Sequence, residues 1–256
     1  MLLRYLILLL TALSAAAQVN IPPATAAKIG QRLWQNECGG TVAGLTSWNA
    51  GEKFASLGIG HFIWYPAGAK GPYQESFPGL VALFQARRVP VPAWLARARV
   101  CPWADRTAFN AAKNSAQMVE LRALLARTVP LQAEYAAQRS VGSLPKILAA
   151  APKKEHTALA GKFNALAATG AGLYCLMDYV NFKGEGTNTA ERYKGQGWGL
   201  LQVLSDMPAV TPAAAPAAFA AAAKRVLGRR IAAAPKDETR WRAGWFSRCD
   251  SYARGL

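Results

Sequence analysis

Acidic residues are scarce in this chain. Its 256 residues hold 14 Asp and Glu against 30 Lys and Arg, a formal net charge of +16, and charged residues of either sign make up only 17%. Hydrophobic residues reach 52%, so the low hydrophobicity that accompanies intrinsic disorder is missing and the chain can bury a core. Cysteine is sparse too. Cys38, Cys101, Cys175 and Cys249 stand far apart, none in a C-x-x-C pair, which disfavours a zinc or redox site. No metal and no cofactor is expected. Past the first twenty residues, no segment reaches the ~20 apolar residues of a membrane span without a charge, Gly or Pro, so no stable membrane anchor is expected. No nucleic-acid motif accompanies the basic excess, and an anionic cell-wall surface suits that excess better as a partner.

The N-terminus points to a compartment. Arg4 precedes the apolar run Tyr5 to Leu10, and Ala15-Ala16-Ala17 closes in an A-x-A pattern before Gln18. This is the shape of a secretory signal peptide over residues 1–17 with cleavage after Ala17. Residues 18–256 then form a single domain of an exported, periplasmic or extracellular monomer. In such a protein an even cysteine count reads as two disulfides, with three pairings open.

Along the rest of the chain, helical signals dominate. From Ala24 to Cys38, Ile29, Leu33 and Glu37 recur at i, i+4 and i+8, and Gly39-Gly40 is a helix stop. Thr41 to Tyr65 is glycine-rich without a helical period and reads as a small β-hairpin lobe. One long helix is expected over Thr107–Arg127, with others over Lys154–Ala168 and Gly172–Asn181, and another beginning near Pro216. Gly184 to Gly199 reads as a loop and Pro208–Pro216 resembles a linker. The fold class is therefore mainly α (α+β), one helical domain carrying a small β-hairpin lobe.

The chemistry-bearing residues fall in two places. Glu37 ends the first helix on its apolar face, where partial desolvation favours a carboxyl that stays protonated as a general acid. It is followed by a glycine-rich lobe containing Glu52 and the run Ser56-Leu57-Gly58-Ile59-Gly60-His61. Asn181-Phe182-Lys183-Gly184-Glu185-Gly186 and Gly197-Trp198-Gly199-Leu200-Leu201-Gln202 form the second place. Glycosidic cleavage needs such a set: an acid for the leaving oxygen and a second group that places water or steadies an oxocarbenium-like state.

The helix ending in Glu37 and the Ser56–His61 run resemble the phage-type lysozymes, in which a catalytic Glu ends the first helix before a hairpin with a Thr/Ser-x-Gly-x-Gly-His run. The Asn181–Gly186 segment resembles the Asn-x-x-Gly-x-Gly segment of the same family. Gly199-Leu200-Leu201-Gln202 resembles the Gly-Leu-Met-Gln run of lytic transglycosylases, whose catalytic Glu lies upstream at a spacing close to that of Glu185. These likenesses cover about sixty residues. They imply a lysozyme-like helical domain acting on peptidoglycan glycan strands, with Glu37 as acid, Ser56 at the hydroxyl position and His61 as the structural histidine. Asn181, Glu185, Trp198 and Gln202 are then expected to face substrate. Where the family carries its second carboxylate, six residues before the hydroxyl, this chain has Ala50, and Glu52 is the nearest acid. Muramidase and transglycosylase chemistry stay open at this point, as does the choice between Glu37 and Glu185. The alternative is a non-catalytic wall-binding protein that keeps the fold and the basic surface.

Overall fold

A computed structural model describes residues 21–71 and 73–256; the expected signal peptide lies outside them. The chain is mainly helical with a small antiparallel β part. Helix α1 (Pro23–Cys38) opens with a proline, which fits the first turn because its missing N–H needs no partner there. It buries Ala26, Ile29, Gly30, Leu33 and Cys38, and stops where Gly39 takes the left-handed conformation and Gly40 N–H reaches back to the Trp34 carbonyl. A 3₁₀ turn (Ala43–Leu45) leads into strands β1 (Thr46–Ser47), β2 (Ala55–Leu57) and β3 (Phe62–Trp64), which pair in the order β1-β2-β3. The lobe is thus a three-stranded meander rather than a hairpin alone.

Helices α2 (Phe77–Ala86) and α3 (Ala93–Arg97) follow. The long helix expected over 107–127 is broken in two, α4 (Arg106–Ala111) and α5 (Ala116–Arg127). Two caps compete with continuity. The Asp105 carboxylate accepts from Ala108 N–H at 2.8 Å, and Ser115 Oγ accepts from Met118 N–H at 3.3 Å, so Ser115 starts a second helix instead of continuing the first. Helices α6 (Val129–Val141), α7 (Leu144–Ala149), α8 (His156–Ala167) and α9 (Gly170–Lys183) complete the middle of the chain.

The glycine-rich stretch after α9 is not all loop. Strands β4 (Arg192–Tyr193) and β5 (Gln196–Gly197) pair across a tight turn at Lys194-Gly195, both at positive φ. Helices α10 (Leu200–Asp206), α11 (Ala215–Ala233) and α12 (Arg242–Ala253) end the chain. The Pro208–Pro216 segment is no linker between domains, because α10 and α11 pack directly on each other. Helix α9 is the central element: Gly172 to Tyr179 are all buried, and α1, α6, α8, α11 and α12 pack around it. One contiguous core runs from Ile21 to Tyr252.

One compositional expectation is corrected. All four cysteines are buried free thiols in this structure, so the two disulfides are not formed. Burial raises each thiol, Cys38, Cys101 and Cys249 to about 12. The cations of α11 lie on a solvated face and take part in ion pairs there: Lys224 pairs with Asp250, Arg225 and Arg229 share Asp206, and Arg230 holds Glu238 at 2.8 Å.

Candidate active site

The site grows from the end of α1. Because Ile29 and Leu33 are fully buried on one face, Glu37, one turn further, is turned inward, and its side chain keeps only 10% of its exposure. Two groups meet its carboxylate. His61 Nδ1 lies 3.5 Å from Oε2, and the Arg248 guanidinium of α12 pairs with Oε1. Arg248 also grips Asp178 of α9 through two bonds of 2.8 Å each, one from Nε and one from Nη2. Asp178 is wholly buried, and Tyr252 Oη at 2.7 Å and the Asn36 amide at 2.9 Å complete its shell. Burial alone would lower the Arg248 guanidinium, but the bonds to Asp178 and the charges of Asp178 and Glu37 more than offset it and hold it above the ordinary arginine value. Two carboxylates therefore share one cation.

His61 is held by the glycine-rich run. Gly58 adopts φ +70° and His61 φ +46°, a left-handed pair that turns the chain between β2 and β3. The buried Gln132 of α6 fixes this turn: its Oε1 accepts from Ile59 N–H at 3.0 Å, and a Cβ on Gly58 would collide with it. Cys38 Sγ–H donates to the Gly58 carbonyl at 3.6 Å, tying the same turn to the end of α1. The Gly-x-Gly-His spacing thereby sets the histidine against Glu37.

A groove of about 600 Å³ opens from this point. One wall is the β lobe, with His61, Phe62 and Ile63; the other is the end of α9 and the following loop, with Asn181, Gly184, Glu185 and Gly186. Ser56 pairs with Ile63 across the sheet but is itself buried and does not line the groove. Glu185 is placed by stitching: Leu200 and Leu201 N–H donate to the Gly184 and Glu185 carbonyls at 3.0 and 2.9 Å, and Lys146 Nζ pairs with its carboxylate at 2.6 Å. Gly186 and Gly199 approach so closely that a Cβ on Gly199 would enter the Gly186 backbone.

Of the residues expected to act, His61, Asn181 and Glu185 line this groove; Glu37 does not line it but stands behind His61, 3.5 Å from its Nδ1, and Ser56 is buried away from it. Three others do not fit their expected roles. Glu52 does not line the groove; its carbonyl accepts from Trp48 Nε1 at 2.9 Å, and its Oε2 is buried without a hydrogen-bond partner among the described residues. Trp198 is buried, not exposed, its ring packed between Tyr193 at 4.5 Å and the Arg230 guanidinium at 4.2 Å. Gln202 binds protein, with Oε1 accepting from Gly199 N–H at 2.9 Å and its amide donating to the Gly186 carbonyl at 3.1 Å. It clamps the loop and does not face substrate. Asp178 and Arg248 were missed from sequence. An acid in the middle of the apolar stretch Leu173 to Val180 was the available signal, since a buried carboxylate must find a cation or several donors.

Comparison with family models, with curated proteins and with solved structures gives no match, so the functional reading rests on the geometry of the groove and its acids.

Proposed function

We propose that the protein is an exported, lysozyme-like enzyme that cleaves the glycan strands of peptidoglycan, with Glu37 as proton donor. The observation that carries this reading is a carboxyl at the end of the first helix, nearly closed from solvent, reached from a long groove past His61 and buttressed from behind by Arg248. A groove of this size takes a segment of a polymer, and a single well-held acid set behind its His61 wall acts on one linkage of it. Glu37 gives its proton to the glycosidic oxygen as the bond to the anomeric carbon breaks. With Glu52 turned away from the groove, one acid has to serve both halves of the reaction. In the reading we favour, the muramyl 6-hydroxyl attacks the anomeric carbon and returns its proton to Glu37, leaving an anhydro end. Hydrolysis is the second reading: a water taking the place of the 6-hydroxyl would attack the anomeric carbon, return its proton to Glu37 and leave a reducing end.

The test is digestion of purified peptidoglycan followed by mass spectrometry. Anhydro ends support the single-acid mechanism, reducing ends support hydrolysis, and no products support the wall-binding alternative. Glu37→Gln keeps the shape but removes the transferable proton, so cleavage should fall by at least ~10²-fold while circular dichroism is unchanged. Glu185→Gln should be milder and Glu52→Gln close to wild type. A dead Glu185→Gln beside an active Glu37→Gln would move the acid to the loop.

A further inference from the structure

We infer that the part of the groove remote from Glu37 receives a carboxylate borne by a side branch of the strand, the stem peptide, and that Arg139 determines this specificity. The identity of the strand rests on the activity proposed above; the chemistry of the receptor does not. A second cavity of about 520 Å³ shares Gln74, Arg139, Ser143, Lys146 and Glu185 with the first, so the two form one trough. It runs from His61 past Glu185 to Tyr135, Gly79 and Gly142, well beyond what one glycosidic linkage requires.

At the shared border stands Arg139, and it is held for binding. Its guanidinium lies 5.8 Å from the centre of the Tyr135 ring, and Tyr135 is itself fixed by a 2.9 Å bond from its hydroxyl to the Ser76 carbonyl. A Cβ on Gly79 would collide with that hydroxyl, so the platform needs glycine there. A guanidinium resting on an aromatic face keeps its edge donors free, the arrangement that grips a carboxylate through two bonds. The other charges that line the trough are Lys146, which pairs with Glu185, Glu75, whose Oε1 accepts from Tyr65 N–H at 2.8 Å, and Glu191. Among the described residues, no carboxylate pairs with Arg139. Where a stem peptide is attached, the lactyl carboxyl of the muramyl sugar is spent in its amide bond, so the sugars offer hydroxyls and amides to such a group and the peptide offers the free carboxylates.

The probes are the GlcNAc–MurNAc disaccharide bearing its tetrapeptide and the same disaccharide with its lactyl carboxyl capped as a simple amide, titrated calorimetrically into wild type, Arg139→Ala and Arg139→Lys. Wild type should bind the peptide-bearing disaccharide about tenfold more tightly, Arg139→Ala should abolish the difference, and Arg139→Lys should restore part of it. Strands stripped of peptide by an amidase, with the freed lactyl carboxyls then capped as amides, should be cut more slowly by wild type and equally by wild type and Arg139→Ala. Equal affinity for the two disaccharides, no binding of either, or an Arg139→Ala loss that is the same for both would overturn the inference. Peptide-dependent binding that Arg139→Ala removes, in a protein that cuts no strand, would sustain it while the proposed activity fails. Cutting without peptide discrimination would do the reverse.

Discussion

Replacing Arg248 with Met tests the charge cluster behind Glu37 most directly. The substitution keeps much of the stem's bulk and removes the guanidinium. Asp178 then keeps only Tyr252 and Asn36 as donors while remaining wholly buried, and Glu37 loses its cationic partner. Breaking a buried pair by deleting one partner costs roughly 3–5 kcal/mol. The two remaining donors on Asp178, and the 19% exposure of the Arg248 side chain, place the expected loss at the lower end, about 3 kcal/mol. For a chain of this size that is a fall in Tm of roughly 6–12 °C, and it fits within a typical stability of ~5–15 kcal/mol, so the variant should still fold. Urea unfolding of wild type, Arg248→Met, Asp178→Asn and the double variant gives the coupling between the two residues. The double variant should cost less than the two single losses combined, by at least ~1 kcal/mol, because Asp178→Asn removes the charge that Arg248→Met strands. A loss under ~1 kcal/mol for Arg248→Met, or strict additivity, would refute the view that this guanidinium holds α1, α9 and α12 together.

Two further outcomes are expected. Burial, with the Arg230 and Arg248 charges nearby, brings the Lys183 ammonium down to about 7. Between that value and the ordinary lysine range the unfolded chain binds the extra proton, so this group's contribution to stability rises with pH; below it both states are charged and the full cost of burying the cation is felt. Lys183→Met should therefore stabilise the protein most below pH 7, by roughly 1–2 kcal/mol once the lost contacts with the Trp245 and Phe182 rings are discounted, and least near pH 10. A gain in urea midpoint that grows with pH would contradict this. Protein purified from an oxidising compartment should show no thiol reactive to a disulfide reagent at pH 8 while folded, and four after unfolding without reductant; fewer than three after unfolding would reinstate a disulfide.

Features whose causes lie close together in the chain were readable from sequence. Helix α1 follows from Ile29, Leu33 and the Gly39 stop, and the inward turn of Glu37 follows from the same spacing. The strands around Ser56 and His61 follow from glycines that a helix would not tolerate. What sequence did not convey depends on distant partners. Whether Ser115 starts a helix or sits inside one is decided by a single side-chain bond. Trp198 lies between two glycines, which reads as exposure, yet Arg230 and Tyr193 arrive from other elements to cover it. Glu52 was assigned by its nearness in number to a family position, whereas the path of β1 and β2 carries it away from the groove. The even cysteine count implied bridges, but Cys38 and Cys101 are buried on separate elements and serve as small apolar side chains.

The bond between Glu37 and Arg248 joins residues 211 positions apart, which gives the site a birth order. A ribosome adding ~5–20 residues per second finishes Glu37 roughly 10–40 s before Arg248. Throughout that interval, and for some of it Asp178 as well, the acids of the cluster exist without their cation. Helix α12 is made after α1 and α9 and supplies the charge that ties them together, so the site can acquire its held acid only once Arg248 has been added. An incomplete chain would carry the acid without the support that holds it at the groove.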